Sequence, residues 1–109
     1  MSAPTIVGAM IVRNEDLWIE QAVRNIVGFC DVLHIGDNSS TDETREILER
    51  VTSDHLHVEL RGVPDMGQSH AVVEQYAGAD VWVFGVDGDE LYDPFGLERL
   101  RAELLAGVY

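Results

Sequence analysis

The tripeptide Asp87-Gly88-Asp89 sets two carboxylates on either side of a glycine, directly after the apolar run 81–86. A chain leaving a buried strand must turn there, and a glycine lets a ligand approach the backbone closely. Hard oxygen donors in this arrangement suit Mg²⁺ or Mn²⁺, ions that typically share their remaining coordination positions with substrate phosphates. An Asp-Gly turn with two solvated acids is the plain alternative, and the tripeptide alone does not decide between them. More acids stand after other apolar runs: Glu15 and Asp16, Asp37 and Asp42, and Glu90 beside the tripeptide itself. Carboxylates gathered at one edge repel each other unless a cation joins them. Whether these do gather depends on the elements that carry them.

Runs 5–12 and 32–36 are continuously apolar and rich in β-branched residues, and 81–86 adds Trp82 and Phe84 to the same pattern. Such runs read as strands covered on both faces, as in a parallel sheet. Run 55–60 alternates Leu56, Val58 and Leu60 with His55, His57 and Glu59, which suits an edge strand with one wet face. Between the strands the period turns helical. Asn14 is the expected N-cap of a first helix with Trp18, Ala22, Ile26 and Phe29 on one face. Ser40-Thr41-Asp42-Glu43 matches a capping box before Ile47, Leu48 and Val51. A third helix, over 69–77, is expected to bury Val72, Val73 and Tyr76. A fourth starts at Asp93-Pro94, turns Leu97, Leu100 and Leu104 inward and ends at Gly107.

The order βαβαβαβα with right-handed crossovers predicts an α/β fold, a wound and mainly parallel sheet with helices on both faces, formed by one domain over residues 1–109. In such sheets ligands bind beyond the carboxyl ends of the strands, where the winding reverses. Three of the four strand ends would bring acids to that rim.

Four segments in order, Met10-Ile11-Val12-Arg13-Asn14-Glu15, Asp37-Asn38-Ser39-Ser40-Thr41-Asp42, Gly67 and Val86-Asp87-Gly88-Asp89-Glu90, make the chain resemble the family 2 glycosyltransferases over nearly its whole length. The resemblance implies the nucleotide-binding half of a Rossmann-like GT-A fold and a nucleoside diphosphate sugar as ligand. It gives Asp37 a hydrogen bond to the base, sets Val12, Arg13 and Asn14 around base and ribose, and puts Asp87 and Asp89 at the ribose and the diphosphate-bound metal, with Gly88 against the nucleotide. On the residues alone, Asp37 remains open to a cap or turn role, and Arg13 to an outward salt bridge.

Two departures from the family pattern stand out. The third helix usually carries an Arg-Asn pair, where this chain has Ala71-Val72-Val73-Glu74-Gln75; Gln68 and His70 are weak substitutes, which shifts phosphate neutralisation onto the metal. The acceptor-binding half and catalytic carboxylate that follow in the family are not in these 109 residues. No general base is assignable, since Glu90 and Asp93 read as supporting or capping acids. The expectation is donor binding for glycosyl transfer to an unknown acceptor, the alternative a nucleotide- or metal-binding module without turnover.

The formal charge of −13, with seven arginines, no lysine and no basic block, argues against a nucleic-acid partner. A receiver-type domain would need a lysine that the chain lacks, and no G-x-G-x-x-G follows the first strand, where a dinucleotide-binding fold would carry it. Cys30 alone permits no internal disulfide, reads as a small buried residue and suits a reducing cytoplasm. No apolar run is long enough to span a membrane. His34 reads as a satisfied core residue, and His55 with His57 as the wet face of an edge strand rather than a surface metal pair. Finally, run 81–86 would present an apolar open edge in a four-stranded sheet, so self-association through the fourth strand and last helix is expected.

Overall fold

A computed structural model describes residues 6–65 and 69–107. The chain alternates β1 (Ile6–Val12), α1 (Ile19–Ile26), β2 (Val32–Asp37), α2 (Thr44–Thr52), β3 (Val58–Gly62), α3 (Ser69–Gln75), β4 (Trp82–Gly85) and α4 (Pro94–Leu105). The four strands form one sheet in the order β3-β2-β1-β4, and every neighbouring pair is parallel.

The two-residue period of β1 splits the core. Ile6, Met10 and Val12 join Leu33 and Ile35 of β2 in the main cluster, with Ile19, Ala22, Val23 and Ile26 of α1, Leu48 of α2 and Leu97 of α4. Val7 and Ala9 meet Val72 of α3 on the other side. β1 is therefore the fully covered strand that its apolar run predicts. Arg101 fastens α4 to the sheet: it donates to Phe29 O at 2.8 Å and to Asp31 Oδ1 at 2.7 Å, while Asp31 Oδ2 accepts from Ile6 N at 2.8 Å.

The topology fixes where a ligand belongs. From β1 the chain winds outward to β2 and β3, then returns through α3 to β4 on the opposite side of β1. The winding reverses between β1 and β4, so the crevice outside their carboxyl ends, at Val12 and Val86, is the expected binding edge.

Several sequence expectations change. The run 81–86 is not covered on both faces, with Trp82 43% and Val83 39% exposed, but β4 is the open edge expected of a four-stranded sheet, among the described residues. An apolar run looks the same whether an edge or a centre receives it, and only the winding order separates the two. β3 is the edge strand that its alternation suggests, but it starts at Val58, so Leu56 precedes it and is fully exposed. Asn14 does not cap α1, which begins at Ile19 after an uncapped Trp18 that is about half exposed. Nor does the Ser40–Glu43 capping box form; α2 begins at Thr44, whose N–H is taken by Asp42 Oδ1 at 2.9 Å. On α3, Val72 is buried and Val73 is exposed, because a single face of so short a helix reaches the sheet. Asp93 does cap α4, accepting from Phe95 N, and Gly107 closes that helix at a φ of 72°.

Candidate functional site

The first two strand ends are tied to each other before any ligand is considered. Asn14 sits in the left-handed region at φ 53°, a conformation that asparagine tolerates better than most residues, and Ser39 does so at 50°. From there Asn14 Oδ1 accepts from Thr41 N at 2.8 Å and Asn14 N donates to Ser40 Oγ at 3.0 Å. Glu15 N donates to Thr44 Oγ1 at 2.8 Å, and Asn38 N to Val12 O at 2.8 Å. The expected caps are thus spent across the gap between two loops. Asp37 is 5% exposed; its Oδ1 accepts from Ser40 Oγ at 2.5 Å and its main-chain carbonyl from Val63 N at 3.0 Å. Its Oδ1 is thus engaged in holding the turn.

The fourth strand end folds onto the first. Val86 N donates to Ala9 O at 3.0 Å, extending the β4 ladder, and Glu90 N returns to Asp87 O at 3.1 Å to close a turn. Asp87 and Asp89 are exposed while Gly88 between them is buried. A Cβ on Gly88 would lie 2.7 Å from Val12 Cγ1 and 3.2 Å from Glu15 Cγ, so the turn rests directly on the end of β1.

Electrostatics report the same convergence. The Glu15 carboxyl is raised above its ordinary value, first by burial and then by the charges of Asp89, Asp42 and Asp87. For Asp42, burial acts upward, but hydrogen bonds from Thr44 and Asp16 outweigh it and hold the carboxyl low. Four acids from three strand ends therefore share one edge, as the sequence suggests. Among the described residues no three histidine, cysteine, aspartate or glutamate side chains are arranged to hold a metal ion unaided. The donor set of Asp87 and Asp89 nonetheless fits a hard cation whose other ligands are phosphate oxygens.

Arg13 is exposed at this rim and forms no ion pair with a described acid. His70 is exposed at the start of α3, while Gly67 and Gln68 lie outside the described residues. A cavity of about 220 Å³ lies elsewhere, between the sheet and α3, lined by Ile11, His34, Gly36, Arg61, Val63 and Val72 among others. None of Asp37, Asp87 and Asp89 lines it.

Three participants escape sequence reasoning. Thr44, completely buried, bridges the two loops. Asn25 and Tyr92 join α1 to the stretch after the Asp-Gly-Asp turn. A polar residue on an amphipathic helix carries no periodic signal that would reveal such a partner.

His34 is buried, with Nε2 2.8 Å from Tyr76 Oη, although its Nδ1 has no hydrogen bond, so it is only half the satisfied core residue expected. His57 Nε2 binds Val27 O at 2.7 Å, and His55 stands edge-on to it. Cys30 is buried as expected, its thiol pushed up to about 12 by burial, with Asp31 adding to the rise.

A wound parallel sheet with acids gathered where its winding reverses defines a Rossmann-like α/β domain. The model of glycosyl transferase family 2 matches residues 9–108, and the chain belongs to that family. Among solved structures, it is similar to the mannosyltransferase PcManGT from Pyrobaculum calidifontis in complex with GDP-Man and Mn²⁺, with a TM-score of 0.64 and 22% identity. The similarity covers 94% of this chain and 33% of that one, and it shows a GT-A-type fold. No curated protein matches the chain. No helix among the described residues is long and apolar enough to cross a membrane.

Proposed function

We propose that this chain binds a nucleoside diphosphate sugar through a divalent cation and supplies the donor side of a glycosyl transfer. The observation that carries this reading is the Asp87-Gly88-Asp89 turn seated on Val12 at the winding reversal, where its charges act on Glu15 together with that of Asp42. In the reading, Asp87 and Asp89 hold the cation. Val12, Arg13, Asn14, Gln68 and Gly88 border the nucleotide, and Asp37 accepts an N–H from the base. Bound there, Mn²⁺ or Mg²⁺ would neutralise the leaving diphosphate. The presence of GDP-Man and Mn²⁺ in the similar mannosyltransferase supports the ligand class. The setting proposed is the cytoplasm, where the lone buried thiol of Cys30 needs no partner.

A second reading, binding without turnover by this segment, is favoured by the engagement of the two nearest acids. Glu90 accepts from Asp87 N and Tyr92 Oη, and Asp93 caps α4, so neither stands ready as a general base. Calorimetry with GDP and UDP, in Mn²⁺, Mg²⁺ or EDTA, tests the common step: tight binding only with metal is expected, and equal affinity in EDTA removes Asp87 and Asp89 from the role. Release of free sugar or transfer from the bound donor then separates the two readings.

Self-association through β4 and α4 completes the proposal. The outer edge of β4 carries no strand among the described residues, and Trp82, Val83 and Leu105 of this region are exposed. Burying such a side chain is worth roughly 1.5–3 kcal/mol, and an apolar edge is a template for pairing. Light scattering at micromolar concentration should give a dimer or a higher closed oligomer. A stable monomer would end this part of the proposal.

A further inference from the structure

The stretch 86–93 between β4 and α4 is irregular, yet it carries two carboxylates toward an edge already crowded with negative charge. Something must fix it against that repulsion. Asn25, on α1, reaches across 67 residues and grips the Tyr92 backbone from both sides: its Nδ2 donates to Tyr92 O at 2.8 Å, and its Oδ1 accepts from Tyr92 N at 2.7 Å. The pairing with one carbonyl and one N–H settles the orientation of the amide, since a flipped group would set donor against donor.

Tyr92 carries the restraint onward. Its ring packs against Phe84, with centroids 5.5 Å apart, and Phe84 in turn against Phe29 at 4.9 Å. Its hydroxyl donates to Glu90 Oε1 at 3.1 Å, and the same oxygen accepts from Asp87 N at 2.9 Å. Helix α1, Asn25, Tyr92, Glu90 and the Asp87 amide thus form one hydrogen-bonded chain that ends at the first acid of the turn. Glu90 directs this oxygen inward to the backbone.

We propose that Asn25 and Tyr92, acting through Glu90, are positioning residues that preset the Asp87 turn for the cation-bound diphosphate. The proposal rests on the donor-binding reading above. Groups behind a metal ligand commonly change metal affinity by about 10–100-fold when lost, and here the restraint would do so by sparing the ligand the ordering of an irregular loop.

The test uses GDP or UDP with Mn²⁺ as probe, measured by calorimetry beside thermal melting of the same samples. Tyr92→Phe removes the hydroxyl and keeps the ring on Phe84; it should weaken Mn²⁺-dependent affinity about tenfold, leave the weak binding in EDTA unchanged and melt close to wild type. Glu90→Gln keeps an oxygen acceptor for both donors and should stay within about twofold, whereas Glu90→Ala should fall at least as far as Tyr92→Phe. Asn25→Asp, which turns a carboxylate on the Tyr92 carbonyl, should lose affinity too. Wild-type affinity in Tyr92→Phe overturns the proposal, as does a Glu90→Gln loss equal to that of Glu90→Ala, which would make Glu90 a ligand by its charge. If the wild-type chain binds neither nucleotide with Mn²⁺, the donor-binding reading itself fails and takes this one with it.

Discussion

Gly88 lies so close to Val12 that a methyl group on its α-carbon would stand 2.7 Å from Val12 Cγ1. Val12 is buried, its β-branched side chain is stiff, and it ends the central strand, so it cannot easily yield. Gly88→Ala must therefore lift the turn away from β1 and carry Asp87 and Asp89 with it. Overpacking of this kind costs about 1–3 kcal/mol, and each kcal/mol lowers Tm by roughly 4–8 °C in a domain of this size. Mn²⁺-dependent nucleotide affinity should drop by at least about tenfold, because a displacement near 1 Å is enough to spoil a preset site. A Gly88→Ala chain that melts and binds like wild type would show that the turn does not depend on this contact.

The fold was legible because its signals are local. Apolar runs marked β1 and β2, and Asp93-Pro94 marked the start of α4, where the Asp93 side chain does accept from Phe95 N. The Asp-Gly-Asp turn was legible for the same reason, as glycine between acids after an apolar run is a short-range pattern. Asn14 misled because its partner, Thr41, comes from another loop 27 residues away; the side chain that would have capped a helix closes the gap between two strand ends instead. Asn25 and Tyr92 stayed hidden on the same ground, at a separation of 67 residues. The edge position of β4 was expected from a sheet of only four strands, but the exposure of Trp82 and Val83 was not, because hydropathy does not tell an edge run from a covered one.

Asp37 offers a way to separate holding a turn from reading a base. Its Oδ1 accepts from Ser40 at 2.5 Å, and asparagine preserves an oxygen for that bond while replacing the other acceptor by an N–H₂ donor. Asp37→Asn should therefore melt within a few degrees of wild type yet bind GDP or UDP with Mn²⁺ about 10–100-fold more weakly, the loss of a hydrogen bond to a charged group being worth roughly 1.5–3 kcal/mol. Asp37→Ala, which strips the Ser40 bond as well, should lose both affinity and Tm. Normal binding by Asp37→Asn, with a low Tm confined to Asp37→Ala, would assign the residue to the turn alone.

His34 makes the stability of the chain depend on pH in a defined direction. It is 2% exposed in β2 beneath α3, its Nε2 2.8 Å from Tyr76 Oη and its Nδ1 3.3 Å from Glu59 Oε2 without a hydrogen bond. Burial pushes the imidazole below its usual 6.5; the Glu59 carboxylate opposes this in part and Arg61 reinforces it. The folded chain therefore binds fewer protons at His34 than the unfolded chain does. This contribution is fully present above about pH 6.5, the unfolded value, and is lost as pH falls through that value toward the lower folded one. Protonation of Glu15 acts the other way, because its raised value means that its ionised form costs stability, whereas Asp42, held low by its hydrogen bonds, loses stability with acid as His34 does. The informative quantity is accordingly the difference between variants. Urea unfolding of wild type and of His34→Leu at pH 7.5 and pH 5 should show that acidification harms the wild type more, or helps it less, since leucine cannot take up a proton. His34→Leu should also start lower at pH 7.5, having lost the tie between β2 and Tyr76, just beyond the end of α3. Identical pH dependence in the two chains would mean that His34 titrates alike folded and unfolded, and that its buried setting places no demand on its charge.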